Sequence, residues 1–360
     1  MTGMLDDPGA IARYDASGML GAIPRLAAQV EDAWSLSRSL ALTAAYGAAT
    51  AVVVIGMGGS AIGADLVRGV FADRLRVPLV TVRDYDLPAF AGAGTLVVAA
   101  SHSGGTEETL SALAQAISRG CPVAAITTGG PLLAAAQKGG LPYLAYPGEA
   151  QPRASVGSGT TLLAGLLERA GFLDLGLPEI GEAAASIREM AARCSPDVPT
   201  EQNPAKQLAW SFVDRLPIIE GAGFLGPVAR RWKTQLNENG KSIAAWEELP
   251  EATHNAIVGY AQPEALHERT FVAFLASADD HPRVALRRGL STDLLAERQV
   301  PHEVVAIAGH ARLAQAFSAV TLGDFASVYV AVLYGLDPTP VTAIAQVKDR
   351  LAMADPDAVA

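Results

Sequence analysis

Cysteine is nearly absent. The 360 residues contain two, Cys121 and Cys194, and neither falls in a CxxC or a Cys/His cluster. That argues against a zinc site and reads as two reduced, buried thiols in a cytoplasmic protein. Charged residues are sparse at 18%, and basic ones are the minority, 27 against 37 acidic, for a net charge of -10. A broad basic face for nucleic acid is excluded, although a few local donors suffice to hold a phosphate. The N-terminus, MTGMLDDPGA, is acidic where a signal peptide is basic, and no apolar leader follows. From Leu40 to Ala64 there is no charge, but glycines 47, 56, 58, 59 and 63 interrupt the stretch. It is expected to be the end of a buried helix, a buried strand and a glycine turn rather than a membrane span. What is plentiful is apolar surface: 50% of residues are hydrophobic. A chain of this length and composition buries a large core and fits two domains.

Leu20, Ile23, Leu26 and Val30 recur at helical steps, so 14–42 is expected to be helical. Four strand-length apolar runs follow, at 51–55, 79–82, 95–99 and 123–127, each separated by a helix-length segment. That is the pattern of a buried parallel sheet with crossover helices. The stretch 160–193 contains no strand-like run and reads as a helical connector. After Pro196-Asp197-Val198-Pro199 the pattern restarts, with strands expected at 216–220, 242–245, 271–275 and 303–307 and helices at 227–236 and 324–334. Strand 51–55 leads into Gly56-x-Gly58 as 217–220 leads into Gly221-x-Gly223, so a duplicated α/β domain is the economical reading. The expected division is 1–165 for a helical lead and first domain, 166–200 for the connector, 201–336 for the second domain, and 337–360 for a tail.

Only the first glycine loop is equipped for an anion. In Gly56-Met57-Gly58-Gly59-Ser60-Ala61, glycines admit close approach to backbone amides at a helix N-terminus, and Ser60 adds a hydroxyl. The same residues satisfy a loose dinucleotide fingerprint, with Asp84 near the end of the next strand. The loop after strand 95–99 separates the two readings. Ser101-His102-Ser103-Gly104-Gly105-Thr106 brings three hydroxyls to the start of another helix, where a helix cap requires one. Converging hydroxyls suit a compact phosphate monoester better than an extended pyrophosphate. His102, alternating with the serines, is expected to point away from them.

These residues resemble the sugar-isomerase, or SIS, family, and within it the bifunctional phosphoglucose/phosphomannose isomerases. The resemblance spans nearly the whole chain. It is carried by 56–63, 101–110, Pro152-Arg153-Ala154, 203–209, Arg231-Trp232-Lys233-Thr234-Gln235-Leu236-Asn237-Glu238-Asn239, His254-Asn255 and Lys348. It implies two SIS domains, each a five-stranded parallel sheet flanked by helices in a flavodoxin-like three-layer sandwich. By position it implies that Ser60, Ser101, Ser103 and Thr106 bind the sugar phosphate, with backbone contacts from Gly58 and Gly59. Arg153 would lie beside the enediolate, Glu238 would be the base, and His254 with Lys348 would assist ring opening. It further implies a homodimer with His254 reaching the partner's site, small sugar phosphates as ligands, and no metal, cofactor, nucleic acid or membrane. The family loop commonly reads Ser-Tyr-Ser-Gly-Asn-Thr, so His102 and Gly105 are departures, as is the 155–160 segment.

The chemistry fits the residue types. Aldose–ketose isomerisation moves one proton between C1 and C2 through a cis-enediol, and one carboxylate suffices to remove and return it. Taken alone, Glu238 is an ordinary helix-end glutamate and His254 an ordinary loop histidine; the shared pattern reverses that reading. A fixed guanidinium stabilises charge that appears only during reaction. A sugar-phosphate sensor without catalysis would keep the cup and lose Glu238 or His254, and both are present. A nicotinamide-dependent dehydrogenase would need a hydride-transfer pocket that no second-loop feature supplies.

Overall fold

The computed structural model of the protein describes residues 3–149 and 151–353; residues 354–360 of the expected tail lie outside them. Five parallel strands form the first sheet in the order β2-β1-β3-β4-β5: β1 (Ala51–Ile55), β2 (Leu79–Val82), β3 (Thr95–Ser101), β4 (Val123–Thr127) and β5 (Tyr143–Ala145). β3 is buried along its whole length, as the Val/Ala-rich run requires of a central parallel strand. The uncharged stretch 40–64 is the short helix Ala44–Gly47, then β1, then the first half of helix Gly58–Val70.

The second sheet has the order β7-β6-β8-β9, with β6 (Leu216–Ala222), β7 (Ala245–Leu249), β8 (Thr270–Ser277) and β9 (His302–Ile307), again all parallel. It therefore repeats the first sheet's order with four strands, not the five expected. After β9 the chain passes directly into helix Arg312–Leu333, so no strand pairs with the β9 edge among the described residues. The strand expected at 242–245 begins where that segment ends. It pairs with β6 through Ile218↔Ala245 and Glu220↔Glu247.

Helix Arg312–Leu333 is also longer than the expected 324–334. It packs on helices Leu177–Arg193, Pro204–Phe212 and Gly226–Glu238, and all but its first residue are buried. Among the described residues it is the one helix long and apolar enough to cross a membrane, and its apolar window lies wholly inside the protein. The stretch expected as one connector is two helices. Val156–Arg169 packs on Leu26–Ser37 and Gly58–Val70, while Leu177–Arg193 packs on Arg312–Leu333. Both cysteines are free and buried.

Candidate active site

The first glycine turn places Gly58 in the left-handed region, at φ 50°, and starts helix Gly58–Val70 with no side-chain cap. Its leading amides are therefore free to meet an anion. Ser60 lies in the first turn, and its Oγ accepts the His102 N–H at 3.1 Å, which leaves the hydroxyl proton to donate. Thr106 is the N-cap residue of helix Glu107–Ser118 but makes no side-chain cap bond. Its Oγ1 instead lies 2.9 Å from Ser101 Oγ, which also accepts the Gly104 N–H at 3.1 Å. Ser101 is buried, so its hydroxyl staples the loop from within. Ser103 is exposed at the loop's outer face and accepts the Gly105 N–H at 3.3 Å. Gly104, at φ 68°, is required here: a Cβ would fall 1.9 Å from the Gly129 carbonyl oxygen.

His102 turns beneath the cup, into a cavity that Ser101, Ser103 and Thr106 do not line. With Ser60, Tyr146, Pro152 and Ser155 it lines a cavity of about 10 Å³ beneath the cup, room for about one water. Burial holds its imidazole below the ordinary histidine range, and the ring meets Tyr146 edge-on at 6.3 Å. Its carbonyl accepts Thr128 Oγ1 at 2.6 Å, so the residue ties the cup loop to the loop after β4.

The cup adjoins the turn Pro152–Ser155. A Cβ on Gly59 would lie 3.1 Å from the Pro152 carbonyl oxygen, so the helix start and this turn touch. Arg153, 2% exposed, is the centre of the site. Its Nε donates to Asn239 Oδ1 at 2.5 Å, and Nη1 donates to Gln151 Oε1 at 3.0 Å and lies 3.6 Å from Glu238 Oε2. Nη2 donates to the Pro338 and Thr339 carbonyls at 2.9 and 2.7 Å. Burial lowers the guanidinium's pKa, with Glu238 opposing. Asn239 in turn donates to Ser327 Oγ at 3.0 Å, and Arg231 holds the Arg153 carbonyl at 2.9 Å while pairing with buried Asp324 at 2.6 Å.

Glu238 ends helix Gly226–Glu238 and lines a cavity of about 510 Å³ with Asn237, Lys241 and the 336–344 segment. The structure thus brings Glu238, Arg153 and the cup's edge together. His254 and Lys348 do not line this cavity, and both are exposed. His254 closes a short turn after β7, and Lys348 sits on helix Thr342–Met353. The Asn203–Lys206 segment is an anchor. Asn203 caps helix Pro204–Phe212, and buried Lys206 pairs with Asp6 at 3.2 Å and donates to the Pro196 and Val198 carbonyls.

Two residues escaped the sequence reading. Asn239 stands in the sequence pattern only as the end of the 235–239 run, with no role attached. Lys241 belongs to none of the segments that carry the resemblance, and the scarcity of lysine in this chain is the signal that points to it. Its Nζ donates to the Glu238 carbonyl at 2.5 Å and to the Pro338 carbonyl at 2.9 Å. Desolvation, with the neighbouring Arg153 charge, pushes the ammonium down to about 8.

The family model described as bacterial phospho-glucose isomerase C-terminal SIS domain matches residues 201–351. A solved hypothetical protein of Thermus thermophilus superposes with a TM-score of 0.75 at 18% identity, covering 98% of this chain and 95% of that one. Two parallel sheets in this arrangement, the first with a hydroxyl-lined turn, define a double-SIS fold. Two curated relatives narrow this. The bifunctional phosphoglucose/phosphomannose isomerase of Caldicellulosiruptor bescii is 37% identical over 335 residues, 93% of this chain and 99% of the relative. The protein of the same name from Aquifex aeolicus is 33% identical over 306 residues, 83% and 90%. The chain belongs to the bifunctional phosphoglucose/phosphomannose isomerase family.

Proposed function

We propose that the protein interconverts glucose 6-phosphate, and mannose 6-phosphate, with fructose 6-phosphate through a cis-enediol, with no metal or cofactor. The observation that carries this reading is the approach of Arg153 to Glu238, 3.6 Å apart, beside the start of the cup helix. A phosphate held by the free amides at Gly58 and Gly59 and by the Ser60, Ser103 and Thr106 hydroxyls leaves the sugar's C1–C2 end to reach toward Glu238. Ser101 serves the same cup from inside, as the staple that shapes its loop. Glu238 removes the C2 proton of the open aldose and returns it at C1. Arg153 has one N–H edge of Nη1 left unassigned, and it stabilises the enediolate from there.

His254 and Lys348 protonate and deprotonate the ring oxygen and the anomeric hydroxyl. In this reading His254 enters from a second copy of the chain, and its exposure supports that assignment. Residues 1–165 form the phosphate-binding unit, 166–200 the connector, 201–336 the base-bearing unit and 337–360 the tail, and the protein works in the cytoplasm.

The test is purified protein with fructose 6-phosphate in deuterated buffer, no metal added, followed by NMR. Both aldoses should appear carrying deuterium at C2; failure of either aldose to form overturns the reading. Glu238→Gln keeps size and hydrogen bonding but removes the base. Turnover and C2 exchange should fall together by roughly 10²–10⁴-fold, with sugar-phosphate affinity little changed.

A further inference from the structure

The Pro338 carbonyl is an unusual acceptor, because two cations converge on it. Arg153 Nη2 donates at 2.9 Å and Lys241 Nζ at 2.9 Å. Like charges meeting at one neutral oxygen repel; Glu238 and Asp337 offset both cations, and Asp324 offsets Arg153. Lys241 reaches this position with a backbone φ of 55°, a left-handed conformation that is strained for a residue with a Cβ. A glycine there would relieve the strain. Global stability therefore does not explain a lysine at this position.

The segment that Lys241 holds is one wall of the Glu238 cavity. Leu336, Asp337 and residues 340–344 face Asn237, Glu238 and Lys241 across it. Beyond that segment lies helix Thr342–Met353, in which residues 342–350 are all exposed. Among its described residues, none of this helix's side chains is buried. Its placement, and that of Lys348 on it, is set by the 336–341 segment, fastened by Arg153 and Lys241.

We propose that Lys241 is a positioning residue, a clasp that pins the Pro338 carbonyl to the end of the base-bearing helix and so closes the Glu238 cavity and sets the C-terminal helix over it. The inference rests on Glu238 being the base, but the structural half stands apart from that assignment. Arg153 holds the segment toward the first sheet. Lys241 alone joins it to the Glu238 carbonyl.

The test uses Lys241→Gly and Lys241→Met in the full chain. Lys241→Gly relieves the left-handed strain, so its melting temperature should equal or exceed that of the parent. Its kcat should nevertheless fall by roughly 10–100-fold, as both charge-assisted hydrogen bonds of Lys241 are lost, with KM changed less than kcat. Lys241→Met should lose the same activity, and Lys241→Arg, which keeps a donor, should regain part of it. Amide hydrogen exchange over 336–350 should speed up at least tenfold in the glycine and methionine variants and not in the arginine variant. Parental exchange there in both variants overturns the clasp whatever the enzyme does. Faster exchange with parental kcat, while Glu238→Gln is dead, overturns the positioning role and leaves the base assignment intact. Should the glycine variant fail to fold, the methionine variant carries both readouts.

Discussion

Glu220 sits in the middle of β6 with its carboxylate buried, opposite Glu247 on β7, and Tyr260 OH donates to it at 3.2 Å. Burial pushes its pKa up to about 7, with Glu247 adding to the shift and Tyr260 opposing it. The folded pKa is raised, so the charged form is the disfavoured one. The resulting cost is absent below the unfolded value, grows as pH rises from about 4.5 to 7, and is complete above that. Glu220→Gln should therefore raise stability by up to about 3 kcal/mol at pH 8 and leave it nearly unchanged at pH 4.5. Urea unfolding at the two pH values reads this directly. The cup obeys a different rule. Ser60→Ala with Ser103→Ala should raise KM for sugar phosphates more than it lowers kcat, since phosphate contacts persist from ground to transition state. Equal affinity in parent and double variant removes both hydroxyls from the cup. Legibility differed among these residues for a physical reason. Ser60 and Thr106 announce themselves because strand, glycine and hydroxyl are adjacent in sequence. Arg153 and Glu238 are 85 residues apart, so their approach depends on how two sheets pack, which periodicity does not encode.

Helix Arg312–Leu333 carries polar residues at every third position, Gln315, Ser318, Thr321, Asp324 and Ser327. Gln315 accepts Ser277 Oγ at 2.6 Å at the end of β8, while Ser327 accepts Asn239 Nδ2 at 3.0 Å beside Glu238. Twelve residues of helix, about 18 Å, thus connect the second sheet's loop end to the Arg153 network. Sequence periodicity marks only the helix's C-terminal half, from 324 on, because a helix buried all round has no polar face to betray its period. β7 was misplaced for the converse reason. Glu247 and Glu248 look unlike a buried strand, and β7 is an edge strand where such residues are tolerated. β5 is a three-residue edge strand, too short to register. The long helix also predicts its own weak point. A Cβ on Gly323 would lie 2.2 Å from Trp232 Nε1, and that nitrogen donates to the Ala319 carbonyl at 2.8 Å. Gly323→Ala should destabilise the protein by roughly 1–3 kcal/mol or more through overpacking, measured as a lower urea midpoint with an unchanged slope.

Across the whole molecule, polar contacts join the two sheets' units. Asp65 pairs with Arg230, Arg153 donates to Asn239, and Arg231 donates to the Arg153 carbonyl. The two glycine turns stand at the ends of corresponding strands, β1 and β6, which makes the duplication readable, whereas the missing fifth strand of the second sheet leaves no mark at either turn. Assembly is testable at this scale. If His254 is lent between copies, mixing inactive Glu238→Gln and His254→Ala chains should restore part of the activity, since some hybrid sites hold both intact groups. Hybrids shown to have formed yet remaining dead would place His254 in its own chain's site or outside the chemistry.

The 22-residue core helix has a consequence for how the chain is made. At about 33 Å it matches the thickness of a bilayer's hydrocarbon interior, and its composition suits either solvent. Two features steer it inward. The helices that receive it, Leu177–Arg193, Pro204–Phe212 and Gly226–Glu238, all precede it in the chain, so its groove is synthesised before it emerges. Asp324, at its middle, would cost about 2.5–3.5 kcal/mol at the centre of a membrane. Inside the protein the same carboxylate meets Arg231. The group that steadies the Arg153 network is therefore also the one that makes lipid the poorer destination. Asp324→Leu should shift newly made protein toward the membrane fraction, linking active-site architecture to the fidelity of delivery.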